Sequence, residues 1–229
     1  MNVSKLVLGI LVIVAASTSF GAGAVQKFCM GCDYKTQKLQ GADFAGGVYF
    51  GANFEGADLT RASFRSARII AANFKNANLT AAAFDGADCL ACNFSGAKLD
   101  GATFTQVRLA AANFAGFAAH LENAQLRNLL AGCVVCNFSK ATLTGYDLAE
   151  LPLVNVDLGH ADLRQVRFDG AIMCWYDGMA AKRAMACDKL GGAQIEGASF
   201  VGIRVCEDPL EAASCTIVSD GDFRRSAGI

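Results

Sequence analysis

Residues 41–105 read GADFA GGVYF GANFE GADLT RASFR SARII AANFK NANLT AAAFD GADCL ACNFS GAKLD GATFT. In every block of five the second residue is small, the third is often Asp or Asn, and the fourth is apolar and usually large. That fourth residue is called the centre here. Working outward, centres recur without a break from Cys29 to Phe114 and resume at Phe138, Leu143, Leu148, Leu153, Leu158, Leu163, Phe168 and Met173. Between the two runs, Leu121, Leu126 and Cys133 continue the series through two seven-residue spacings, and Ile195, Phe200 and Val205 follow a later interruption.

A period of five suits neither a simple helix nor a simple strand. It suits a chain that turns a corner every five residues, so that four repeats close one square coil. The centre and the residue two before it then point inward, and the other three face solvent. Asp and Asn beside the centre can bond local backbone, as short polar side chains do in turns. Gly46, Gly56, Gly86, Gly96 and Gly101 stand two after a centre, where a type II turn needs positive φ.

A second period supports the coil. Alternate centres are aromatic, at Phe44, Phe54, Phe64, Phe74, Phe84, Phe94, Phe104 and Phe114, with Tyr49, Leu59, Ile69, Leu79, Cys89, Leu99 and Leu109 between them. Four repeats per coil put these rings in two ladders on opposite walls, stacked at a strand spacing of about 4.8 Å. If each seven-residue spacing is one repeat with a two-residue bulge, at Ala115–His120 and Arg127–Gly132, the register survives. Phe138 then shares a wall with Phe94 and Phe114, and Leu121 and Leu143 share one with Leu79 and Leu99. The expected rod has about eight coils and a length of ~38 Å.

This pattern resembles the pentapeptide-repeat family over roughly residues 27–173 and 193–205. The resemblance implies an all-β fold, a right-handed quadrilateral β-helix solenoid. It implies little about function, because the family hosts unrelated roles. Some cytoplasmic members mimic DNA and act on type II topoisomerases, a role that calls for a strongly acidic rod.

Composition bounds the function. Lys plus Arg is 20 and Asp plus Glu is 21, a formal charge of −1, so nucleic acid is not an expected partner. Met1–Ala24 has Lys5, the apolar run Leu6–Ala16 and the small-residue end Ala22-Gly23-Ala24, the order of a secretory signal cleaved before Val25. A bilayer span takes about 20 apolar residues, which the run does not reach. The expected organisation is a signal at 1–24, repeats at 25–173, a helical insertion at 174–192, final repeats at 193–205 and a cap at 206–229. Asp177–Leu190 reads as a helix with Asp177 as N-cap, and Asp208-Pro209-Leu210-Glu211 reads as a second helix start.

Ten cysteines in an exported chain point to disulfides. Cys29/Cys32, Cys89/Cys92 and Cys133/Cys136 fall at one corner of the coil on different levels. Corner disulfides fit that geometry best. Buried thiols, a metal site and a redox pair are the open alternatives. A shared tetrathiolate metal is disfavoured by the coils of rise between pairs, and haem attachment by Asp33, Asn93 and Asn137 where His would stand. Cys174 with Cys187, and Cys206 with Cys215, are the nearest remaining pairs.

No catalytic constellation stands out. His120 and His160 fall in or near outward positions, and Asp43, Asp58, Asp88, Asp147, Asp157 and Asp162 recur because the repeat uses them. No cofactor is expected. The leading expectation is a non-enzymatic exported rod that binds protein or serves a structural role. The alternatives are a thiol-disulfide or metal-handling protein and, behind it, the topoisomerase-directed DNA mimic.

Overall fold

The computed structural model describes residues 25–118, 120–153, 155–177, 184–206 and 214–229. The expected signal at 1–24 and the helix start at 208–211 lie outside them. Phe28–Met30 (β1), Val48–Phe50 (β2), Arg68–Ile70 (β3), Asp88–Leu90 (β4), Arg108–Ala110 (β5) and Cys133–Val134 (β6) form one parallel sheet in chain order. Their centres stack as Cys29, Tyr49, Ile69, Cys89, Leu109 and Cys133. This is the first wall of a square coil.

Single bridges hold the other walls. On the second wall a column runs from Asp33 through Asn53, Asn73, Asn93, Asn113, Asn137 and Asp157 to Lys189. The third carries Lys38, Asp58, Asn78 and Lys98, and the fourth Asp43, Ser63, Ala83 and Thr103. Each corner needs a left-handed residue, supplied by Gly46 at φ 65° or Gly96 at φ 68°, but also by Arg61 at 60° and Ala81 at 56°. The coil therefore imposes the turn, and glycine only eases it. Asparagine oxygens finish the corners: Asn73 Oδ1 accepts from the Lys75 amide at 3.1 Å, and Asn93 Oδ1 from the Ser95 amide at 3.1 Å.

The interior is filled by side chains. All eight predicted Phe centres are buried, as are most of the small residues two before them, such as Ala52, Ala62, Ala72 and Ala82. Rings stack along each ladder at 4.7 Å for Phe44–Phe64 and 4.8 Å for Phe54–Phe74. The two ladders meet edge to face, at 5.3 Å for Phe44–Phe54. Both arrangements suit the ring quadrupole. From the Phe44 repeat to the Phe114 repeat, the inward small position is alanine except at Gly47, Cys92 and Val107. A Cβ on Gly47 would lie 2.3 Å from the Tyr49 hydroxyl oxygen, so the bulkier tyrosine requires glycine beside it.

The middle of the chain corrects the two-bulge reading. Phe138 does stack on Phe114, at 4.7 Å. However, Ala118 bridges Thr142, so Leu121 is out of register with Leu143, and the extra residues collect instead in a helix, Asn123–Ala131 (α1). Its Leu126, Leu129 and Leu130 are buried and fill the tube where a wall segment is missing. The signals were present: Gln125 reaches back to the Glu122 amide at 3.0 Å as a helix-start box, ahead of leucines at helical spacing. Gly132 ends the helix against the coil, where a Cβ would lie 2.4 Å from the Val107 carbonyl oxygen.

The helix expected over 177–190 is also corrected. Ile172–Asp177 (β7) pairs antiparallel with Ala184–Cys187 (β8), and Asp177 ends a strand rather than capping a helix. β7 also pairs in parallel with Arg204–Cys206 (β9), which pairs antiparallel with Cys215–Ile217 (β10). A strand beside an open sheet edge satisfies a row of backbone groups, which outweighs the modest helix preference of the AAKRAMA stretch. The rod then closes with a helix not anticipated from sequence, Asp220–Ala227 (α2). Its Ser219 cap accepts from the Asp222 amide, its Phe223 lies 5.3 Å from Phe200, and the Ala227 carbonyl accepts from the Leu190 amide at 3.0 Å.

Candidate functional site

Three places carry unusual chemistry: the cysteine corner, the hollow beside α1, and the outer surface of the first wall.

The cysteines come first. Cys29, Cys89 and Cys133 are in one column of the first wall, each followed by its partner across the same corner. The structure bridges Cys29 to Cys32 and Cys89 to Cys92, both with Cα atoms 5.9 Å apart. Cys174–Cys187 and Cys206–Cys215 are bridged across the antiparallel pairs β7–β8 and β9–β10. Cys133 and Cys136 differ from the expected bridge and stand as buried thiols. The Cys136 sulfur is directed to the Leu109 carbonyl at 3.5 Å, and the corner between the two holds Val135 at φ 58°, a strained angle for a branched residue. Burial, with the neighbouring Cys136, pushes the Cys133 thiol well above its ordinary range. Such a thiol is a poor nucleophile and a poor metal ligand. Among the described residues no group of three or more His, Cys, Asp or Glu side chains is placed to hold a metal ion.

The hollow beside α1 is open and lined by Asn123, Arg127, Asp147, Glu150, Arg167 and Asp169. Its contacts are structural. The Asn123 side chain accepts from the Asp147 amide at 2.8 Å and donates to its carbonyl at 3.2 Å. Arg127 donates to the carbonyls of Asp147 and Ala149 at 3.0 and 2.9 Å. These side chains replace backbone partners that a regular coil would supply. Pairing with Arg167 holds the Asp147 carboxyl below the usual carboxylate range. A second substitution of this kind involves Asp188, at an inward position that on this wall otherwise holds Ala, Cys or Val. One of its oxygens accepts from the Val156 amide at 2.9 Å, the other has no hydrogen-bond partner among the described residues, and burial raises its carboxyl well above the ordinary value.

The outer surface divides sharply. The second wall is an amide ladder, with Nδ2 of Asn73, Asn93 and Asn113 each donating to the asparagine one coil earlier at 3.2–3.3 Å. Ion pairs such as Lys35–Glu55 at 3.2 Å and Arg65–Asp85 at 3.3 Å cross coils on the second and fourth walls. His120 and His160 are exposed, and the recurrent acids are spread over separate walls rather than gathered. The first wall carries an ion pair of the same kind, Arg108–Asp88 at 2.8 Å, but also an apolar column. The residue after each centre is Met30, Phe50, Ile70, Leu90, Ala110 and Val134, in register on successive strands. Met30 is 74% exposed, Phe50 37% and Leu90 46%. The inward reading of the sequence passed over this column, although its twenty-residue spacing was visible there.

A family model described as pentapeptide repeats matches eight copies over residues 38–76, 72–109, 87–116 and 136–173, together more than half of the chain. Among solved structures, full-length QnrB1, a plasmid-mediated fluoroquinolone resistance protein, is 18% identical and covers 74% of this chain and 84% of its own, with a TM-score of 0.33. HetL, a pentapeptide repeat protein involved in heterocyst differentiation regulation in the cyanobacterium Nostoc sp., is 19% identical over 78% of this chain and 76% of its own, with a TM-score of 0.30. A pentapeptide repeat protein of the Arabidopsis thaliana thylakoid lumen is 23% identical over 59% of this chain and 75% of its own, with a TM-score of 0.26. No curated protein matches the sequence. With the unbroken five-residue period and the four-walled coil it builds, the repeat match makes this chain a member of the pentapeptide-repeat family.

Proposed function

We propose that this protein is an exported, non-enzymatic rod whose outer walls are protein-binding surfaces. The observation that carries the reading is the filled interior: stacked rings and alanines leave no enclosed pocket in the regular coils where a substrate could be held away from water. Recognition is then left to the walls, which are repetitive and rigid, as in other solenoids. Export is supported by the order of residues in Met1–Ala24 and by a cysteine usage suited to an oxidising compartment. Among the described residues no helix is long and apolar enough to cross a membrane.

The thiol-handling alternative loses ground at Cys133 and Cys136, whose sulfurs face the core. The DNA-mimic alternative loses ground on charge, because the walls pair their acids with Arg and Lys across coils. The test is fractionation of expressing cells with mass measurement of the purified chain. A product starting at Val25 in the exported fraction, which retains protein partners on an affinity column, is expected. An intact chain in the cytoplasm would overturn the export, and turnover that depends on named polar residues would overturn the non-enzymatic reading.

A further inference from the structure

In each of the first six coils, the residue after the first-wall centre and the corner residue behind it are both non-polar: Met30-Gly31, Phe50-Gly51, Ile70-Ala71, Leu90-Ala91, Ala110-Ala111 and Val134-Val135. The next corner of the same coils carries Lys35-Thr36, Glu55-Gly56, Lys75-Asn76, Ser95-Gly96, Ala115-Gly116 and Ser139-Lys140, polar in five of the six. One edge of the rod thus presents a continuous apolar stripe, ~24 Å long at the strand spacing. Soluble surfaces seldom carry contiguous apolar patches without a partner for them. Beside the stripe, one residue before each centre, runs a second outward column: Phe28, Val48, Arg68, Asp88, Arg108 and Gly132.

We propose that the first wall is a homodimer interface, in which two copies pack face to face with their rods antiparallel about a two-fold axis between β3 and β4. Such an axis, parallel to the strands, lays each outward column on itself in reverse order. Within one chain Arg108 already pairs with Asp88 at 2.8 Å. Across the axis Arg68 then faces the second copy's Asp88, and Asp88 faces the second copy's Arg68, so that each Asp88 lies between Arg108 of its own chain and Arg68 of the other. Along the stripe Ile70 meets Leu90, the large Phe50 meets the small Ala110, and Met30 meets Val134. At the rim Phe28 meets Gly132. Val48 meets Arg108, whose guanidinium stays on Asp88 of its own chain while its aliphatic stem covers the valine. This arrangement thus matches bulk along the stripe and sets each Asp88 among arginines. The other two-fold arrangement, with rods parallel, lays one column on the other and sets Arg68 and Asp88 against the apolar stripe, where charge burial is costly. An isologous contact of this sort closes at two copies. The wall is narrow, so the dimer belongs with small, concentration-dependent interfaces. The inference does not depend on whether the chain is exported.

Sedimentation equilibrium of the protein as isolated from the expressing cell reads the dimer directly, with thermal melts verifying that each variant is folded. A concentration-dependent two-copy mass is expected. Leu90→Asp, on the outside of the wall, is expected to weaken association at least tenfold at an unchanged melting temperature. Arg68→Asp sets like charges opposite each other twice and is expected to do the same. In an Arg108→Ala background, which removes the in-chain partner of Asp88, combining Arg68→Asp with Asp88→Arg restores opposite charges across the axis and is expected to recover association to within threefold of that background. A photo-crosslinker at position 50 is expected to capture the peptide that contains Ala110. A monomer at every concentration, a dimer indifferent to Leu90→Asp, a charge swap that stays monomeric while folded, or capture of residues 1–24 by position 50 would each overturn the proposal.

Discussion

The stack from Phe44 to Phe114 and the chain beyond it solve one problem in two ways. In the first region every repeat is five residues, and backbone amides find carbonyls one coil on: Phe54 donates to Asn73 at 2.7 Å, and Phe74 to Asn93 at 2.7 Å. Side chains there have only to fill space. In the second region α1 and the β7–β8 hairpin remove stretches of coil, and polar side chains take over the missing backbone bonds. Asn123 and Arg127 do so for Asp147 and Ala149, and the Asp188 carboxyl for Val156. Buried backbone must be paired by something, so a solenoid tolerates an interruption only where a side chain can stand in for a strand.

This contrast can be broken from either side. Phe84→Ala or Phe94→Ala removes a ring between two others in a region with no freedom to collapse, and a loss of about 3–5 kcal/mol in denaturant melts is expected. Arg127→Ala strips two carbonyls of a charged donor, and a loss of about 2 kcal/mol is expected in the same melts. Local hydrogen exchange should rise at residues 145–149 while the Phe ladder stays protected. If Arg127→Ala leaves both stability and exchange unchanged, the stand-in role is wrong.

Asp188 sharpens the comparison through pH. Its folded carboxyl binds a proton more tightly than the unfolded one, whose ordinary value is 3.8. The folded state therefore holds more protons in the window above that value, and stability falls as pH rises through it. Asp188→Asn is expected to flatten this slope in melts taken from pH ~4 upward, within the acid-titration range where buried carboxyls act. An unchanged slope would remove Asp188 from the account. Smaller effects belong to the surface. Asn93→Ala interrupts the amide ladder and loses the bond to the Ser95 amide, for about 1 kcal/mol. Lys75→Ala is expected to stay within about 0.5 kcal/mol. Losses of similar size at Phe84 and Lys75 would contradict the division into inward and outward positions.

Legibility followed the same divide. Where the period is unbroken, each inward residue from Phe44 to Phe114 could be named from sequence, because one rule sets both the bend and the burial. Where it breaks, the reading failed in two directions. α1 was passed over because Leu126 was assigned to the five-residue series rather than to its helical neighbours Leu129 and Leu130. β8 was read as helix because an Ala-rich stretch carries no sign of the open sheet edge that recruits it. The apolar stripe of the first wall is as regular as the core, but Met30, Phe50, Ile70 and Leu90 stand at outward positions, which the rule for burial does not select.

The asparagine column on the second wall has one further consequence. Its amide groups are all oriented alike, each giving its hydrogen toward the start of the chain, and the series stops where Asn53 donates to Asp33 at 3.1 Å. A carboxylate can receive but has nothing to pass on, so Asp33 works as a full stop. The rod is thereby a polarised object with a distinguishable beginning, and anyone lengthening it by a coil at that end would first have to exchange this acid for an amide.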